Sequence, residues 1–181
     1  MQKYSTVRKN LNLTAIFATI AIFILAACSN NENTVLKFSG QLVEHSICKD
    51  FEISEAFQSD DVPANVSQVD YSFDAATNKL TLKHFNAGFN CCPDGLYSNI
   101  SLVNDTILIQ EFEVITEPCR CLCLYDLDML ITGVESKKYT VKIIEPYYQG
   151  DQKIIFDIDL REITNGSFSV ERDEYPWGII E

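Results

Sequence analysis

"EPCRCLCLYDL", residues 117 to 127, sets Cys119, Cys121 and Cys123 at every second position. Side chains of an extended chain alternate between faces, so the three thiols point the same way if this stretch is a strand. Carried past Cys123, the odd positions read Tyr125, Leu127, Met129 and Ile131, and the even ones Arg120, Leu122, Leu124, Asp126 and Asp128. The cysteine face is thereby the expected core face. Thiols two residues apart have Cα atoms about 6.6 Å apart and parallel side chains, at the edge of what a disulfide spans. The three therefore need partners elsewhere, and besides Cys28 the chain offers Cys48, Cys91 and Cys92. If each must find one of these, the fifteen pairings open to six cysteines fall to six.

The same period of two runs outward from this stretch. Leu36, Phe38 and Leu42 alternate with polar residues, as do Val69, Tyr71 and Phe73, then Leu80 and Leu82, then Ile100 and Leu102. Leu108, Phe112 and Val114 are the expected inward set of the next strand. Tyr139, Val141 and Ile143 follow the cysteines, then Ile154, Phe156, Ile158 and Leu160, then Phe168 and Val170. Turn residues separate them at "DAATN" (74–78), Asn104-Asp105, "YYQGD" (147–151) and Asn165-Gly166. Only "CKDFEISEAFQS" (48–59) is ambiguous between helix and strand. Eight to ten short strands predict a single antiparallel β-sandwich over residues 35–181. "GVESKKYTVKI" (133–143) resembles the strand-turn-strand corner of prealbumin-like and immunoglobulin-like sandwiches, with Val134 and Tyr139 in the apolar and tyrosine places and Lys137 where glycine is usual. That resemblance bears on architecture alone.

The N-terminus sets the compartment. Lys3, Arg8 and Lys9 precede an apolar run from Leu13 to Ala27 that ends on small residues, the pattern of a secretory signal. As a helix this run rises about 22 Å, short of the roughly 30 Å hydrocarbon core. "LAAC" (25–28) resembles the bacterial lipoprotein box. The resemblance implies residues 1–27 as a cleaved signal peptide, Cys28 as the lipidated N-terminus, and residues 28–34 as a tether, with more than one acyl chain giving stable membrane anchoring. Ser29, by resemblance to enterobacterial sorting, directs the product to the outer membrane. Loss of three basic residues and no acid with the leader takes the formal net charge from −12 to −15. Such a surface repels nucleic acid phosphates.

In an exported chain, six cysteines besides the lipidated one read first as disulfides: Cys48, Cys91, Cys92, Cys119, Cys121 and Cys123. No metal is expected on that reading. The alternative is a zinc or copper site. His84 and Asn86 share the inward parity of Leu80 and Leu82, and His84 with Cys91, Cys92, Cys119, Cys121 and Cys123 contains the donors for tetrahedral zinc or Cu(I). Redox-active thiols rank third, on the vicinal pair Cys91-Cys92 and without a C-x-x-C motif. "HFNAGFNCC" (84–92), "CRCLCLYDL" (119–127) and "EYPWG" (174–178) together resemble a set of exported bacterial lipoproteins of uncharacterised function, which implies a common fold and no residue role.

The paired acids Glu111 and Glu113, Asp126 and Asp128, and Asp157 and Asp159 read as solvated faces, with a calcium site as the sharper alternative. No nucleophile elbow, phosphate loop or H-E-x-x-H is present, so no catalytic residue is named. Tyr147-Tyr148 and "YPWG" place aromatics in turns, where core capping is expected before contact with a glycan or protein. The expected protein is a lipid-anchored envelope module that binds or scaffolds and is stapled by disulfides, with metal handling as the alternative.

Overall fold

A computed structural model describes residues 36–49 and 62–172. The leader, Cys28, the tether, most of the ambiguous 48–59 stretch and "EYPWG" lie outside the described residues. Nine strands form within them: β1 (Ser39–His45), β2 (Val66–Asp74), β3 (Lys79–Asn90), β4 (Gly95–Val103), β5 (Thr106–Val114), β6 (Leu122–Thr132), β7 (Lys138–Ile144), β8 (Ile155–Asp159) and β9 (Asn165–Glu171). They make two sheets, in the orders β1-β6-β3-β2-β9 and β4-β5-β7-β8. The fold is an all-β sandwich. Every pairing is antiparallel except β5 with β7, because β6, which comes between them in the chain, belongs to the opposite sheet.

Alternation explains which side chains fill the space between the sheets. Val69 and Phe73, Leu80 and Leu82, and Leu127, Met129 and Ile131 come from one sheet; Ile107, Ile109, Val141, Ile143 and Ile158 come from the other, all buried. β5 departs from the expected parity. Ile107, Ile109 and Glu111 point inward, whereas Phe112 is 43 % and Val114 49 % exposed. Both faces of "TILIQEFEV" carry apolar residues, so the strand's neighbours decide its orientation. The register sets Ile109 beside Ile100 and Ile143, and Ile107 beside Val141, which turns Glu111 into the core.

The start of β6 is also shorter than expected. Cys123 lies in the strand and is buried, but Cys119 and Cys121 precede it and are only half-buried. β3 has no residue left to pair with them once Asn90 has met Leu122, and Pro118 offers no backbone donor. Within β3 the pairing to β6 slips between His84 and Ala87, a bulge that sets two residues opposite Asp126. Asn86 occupies it with a left-handed φ of 63°, a region that asparagine tolerates better than most residues. The corner from β6 to β7 closes on Tyr139, whose hydroxyl accepts the Glu135 N–H at 3.0 Å, with Val134 fully buried beside it. Gly133, at φ 72°, begins this corner against the Lys37 carbonyl, where a Cβ would come within 2.4 Å of the oxygen.

Candidate functional site

Three disulfides gather at the end of the larger sheet where β3 finishes and β6 begins. They join Cys48 to Cys123, Cys91 to Cys121 and Cys92 to Cys119, each with Cα atoms 5.6 Å apart, inside the usual range. This is one of the six connectivities left open by the sequence. Asn90 organises the last of them, Cys92–Cys119. Its Oδ1 accepts the N–H groups of Cys92 and Cys119 at 3.0 and 3.1 Å, and its Nδ2 donates to the Cys119 carbonyl at 2.7 Å. The Cys91 N–H donates to the Cys121 carbonyl at 3.2 Å, so the two segments are paired before any sulfur is counted. Glu113 accepts the Asn90 N–H at 2.9 Å and also the Tyr147 hydroxyl. Burial and that carboxylate push the Tyr147 phenol up to about 12.

The donor set of the metal alternative is not assembled. β3 does lie beside β6, but His84 pairs with Leu127, about 13 Å along the strand from Cys123. All six cysteines are bonded to one another, and Asn86 turns away from His84 at the bulge. Among the described residues no group of three or more His, Cys, Asp or Glu side chains could hold a metal ion. The acid pairs likewise separate. Asp126 meets Lys49, Asp128 meets Lys83 at 3.2 Å, Asp157 meets Lys138 at 2.8 Å and Asp159 meets Arg161.

His84 instead belongs to a network between the sheets. Its Nε2 lies 2.8 Å from the Ser67 hydroxyl on β2 and its Nδ1 lies 2.7 Å from Glu111 Oε1 on β5. Glu145, just past β7, pairs at 2.6 Å with Arg172, just past β9, and the Arg172 guanidinium stacks 3.7 Å from the Tyr148 ring. Burial by itself would lower the His84 pKa, but the charge and hydrogen bond of Glu111, with Glu145 farther off, outweigh it and raise it above 6.5. Burial raises the Glu145 carboxyl, with His84 and Arg172 pulling the other way. Glu111 Oε2 and Glu145 Oε1 are buried and accept no hydrogen bond among the described residues. Hydroxyl, imidazole and carboxylate follow one another as in a nucleophile with its base and orienting acid. Ser67 and His84, however, have no solvent exposure, so no substrate reaches the hydroxyl and the arrangement acts as a tie between sheets.

A second polar group sits at the bulge. Lys49 Nζ lies 2.7 Å from Asn86 Oδ1 and 2.5 Å from Asp126 Oδ1, and the same Asp126 oxygen accepts the Asn86 N–H at 3.1 Å. Asn86 Nδ2 donates to the carbonyls of Val66, Pro63 and Val62 at 2.7, 3.0 and 3.3 Å. On the outer face of the smaller sheet, Tyr97 and Phe112 stack with centroids 5.6 Å apart, both substantially exposed.

Sequence reasoning singled out His84 and Asn86 but none of the partners Ser67, Glu145, Arg172 or Lys49, and it read Glu111 as a solvated acid, whereas the structure buries it against His84. The signal for Glu111 was the second apolar set Ile107 and Ile109, two residues apart and in phase with it. No protein family matches this chain, and no curated protein or solved structure is significantly similar to it.

Proposed function

We propose that the protein is a lipid-anchored, extracytoplasmic module of the bacterial envelope that binds or scaffolds rather than catalyses. The observation that carries this is the set of three disulfides clustered at one end of a sandwich. Bonds of this kind persist in oxidising compartments and are rare in the cytosol. An exported domain is also what the apolar leader and "LAAC" supply, with Cys28 as the lipid attachment and the outer membrane as the destination. An acidic sandwich held by covalent ties at one end presents loops and sheet faces on a rigid frame, which suits a protein or glycan ligand. The test is fractionation with lipid labelling. Wild type should partition with membranes and take up labelled fatty acid. Cys28→Ala should do neither. Membrane association that survives the substitution sinks the anchor, and free thiols in the protein isolated from the envelope sink the stapled module.

A further inference from the structure

We propose that Lys49 and Asn86 are the two ends of an intramolecular isopeptide bond whose formation Asp126 promotes. The site holds each part that aminolysis of a side-chain amide requires. Lys49 supplies an amine, Asn86 a carboxamide, and Asp126 a carboxylate in contact with the amine at 2.5 Å. With Nζ 2.7 Å from Oδ1 and a C=O bond of about 1.2 Å, the amine stands no farther than about 3.9 Å from Asn86 Cγ. That is close to the separation of a near-attack arrangement. Asn86 has no solvent exposure, and the Lys49 and Asp126 side chains keep only 22 % and 18 % of theirs, so competing water is largely shut out. The Phe85 ring, 5.9 Å from Nζ, covers another side.

Both reacting groups are held in place. The Lys49 N–H donates to the Leu124 carbonyl at 2.9 Å, and its neighbour Cys48 is bonded to Cys123. Asn86 is fixed by the bulge and by the three carbonyls around Nδ2. Those carbonyls do more than orient the amide, since three acceptors converging on the leaving nitrogen are a cradle for the ammonium that departs.

The step balances without an oxidant or cofactor. Asp126 takes a proton from the Lys49 ammonium, and the freed Nζ lone pair attacks Asn86 Cγ. A C–Nζ bond forms, Nδ2 receives the proton held by Asp126, and the C–Nδ2 bond breaks. Two of the three ammonium protons leave with Nδ2 as ammonium, and Asp126 is a carboxylate again. The product is an amide bridge across β6, from the chain beyond β1 to β3, formed once and immune to reductant.

Mass mapping of the reduced, alkylated wild-type protein from the envelope is the test. Trypsin should leave Lys49 uncut, and a branched peptide should join Lys49 to Asn86 with a mass one ammonia below the sum of its arms. Lys49→Arg keeps the positive charge and has no acylable amine, so its peptides should be linear. Asp126→Asn, with its three disulfides mapped to show that it has folded, should lose most of the branched peptide. Linear Lys49 and Asn86 peptides from the wild type would overturn the bond. A bond formed as fully in Asp126→Asn would overturn the part given to that carboxylate.

Discussion

His84 is gripped on both sides of its ring, by a hydroxyl from its own sheet and a carboxylate from the other. Its charge is matched by Glu111, as that of Arg172 is by Glu145, so the protonated ring leaves the buried group of four charges neutral. Deprotonation leaves one carboxylate in excess. Because the folded pKa lies above the 6.5 of the free side chain, this stabilisation is complete below pH 6.5 and is lost as the pH rises through the folded value. Glu145, raised from 4.5 by burial, contributes a loss of the same sign as the pH rises above 4.5. Urea midpoints measured from about pH 6 upward should therefore fall, and His84→Gln should flatten that decline. At fixed pH, His84→Ala leaves Glu111 without its partner and should cost about 3–5 kcal/mol. An unchanged pH profile in the glutamine variant would show that the imidazole is neutral throughout. The inward direction of His84 was legible, because it continues the phase of Leu80 and Leu82. Its partner was not, because Glu111 lies in a segment where either parity offers apolar residues and only the register with Ile100 and Ile143 chooses.

At the scale of elements, the alternation rule located the nine strands of the described residues but not their company. β1 pairs with β6 and β2 with β9, pairings that no local pattern announces, and the parallel contact of β5 with β7 follows from β6 changing sheets. One residue in β1 does mark its neighbour. A glycine inside a strand often signals the close approach of another backbone or side chain. At Gly40 an added Cβ would fall 2.6 Å from both Cβ and Cγ2 of Ile100 on β4. The edges of the two sheets meet there. Gly40→Ala should destabilise the protein by about 1–3 kcal/mol, the usual cost of overpacking. Ile100→Ala should restore part of it, so that the two changes are not additive in thermal melts. Strict additivity would mean that the penalty arises elsewhere than in this contact.

For the molecule as a whole, the disulfides dominate what can be lost. Cys48–Cys123 closes a separation of 75 residues, against 30 and 27 for the other two. Loop-closure entropy grows with length, so removing this pair together should cost most, of the order of 4 kcal/mol out of a typical 5–15. Reductant should lower the melting temperature of the wild type by many degrees while chelator leaves it unchanged. The reverse result would restore a metal to the account. The cross-pairing of early with late cysteines was legible from reach alone, since neighbours two apart cannot bond without distortion. The choice among six connectivities was not, because it depends on Asn90 drawing Cys92 and Cys119 together, a contact between segments 29 residues apart.

That connectivity also sets a timetable. Every bond takes one cysteine from residues 48–92 and one from residues 119–123, and among the described residues β1 has no ladder partner until β6 exists. A chain emerging from its N-terminus presents Cys48, Cys91 and Cys92 to an oxidant before any correct mate has appeared. The first bonds it makes are then wrong, and reaching the native set requires exchange through mixed disulfides. Oxidase without isomerase should accumulate species bonded among the first three cysteines, visible by non-reducing mass mapping, and added isomerase should drain them into the native form. Native bonding at full yield without exchange would mean that the chain waits, reduced, until residues 119–123 at the start of β6 are out.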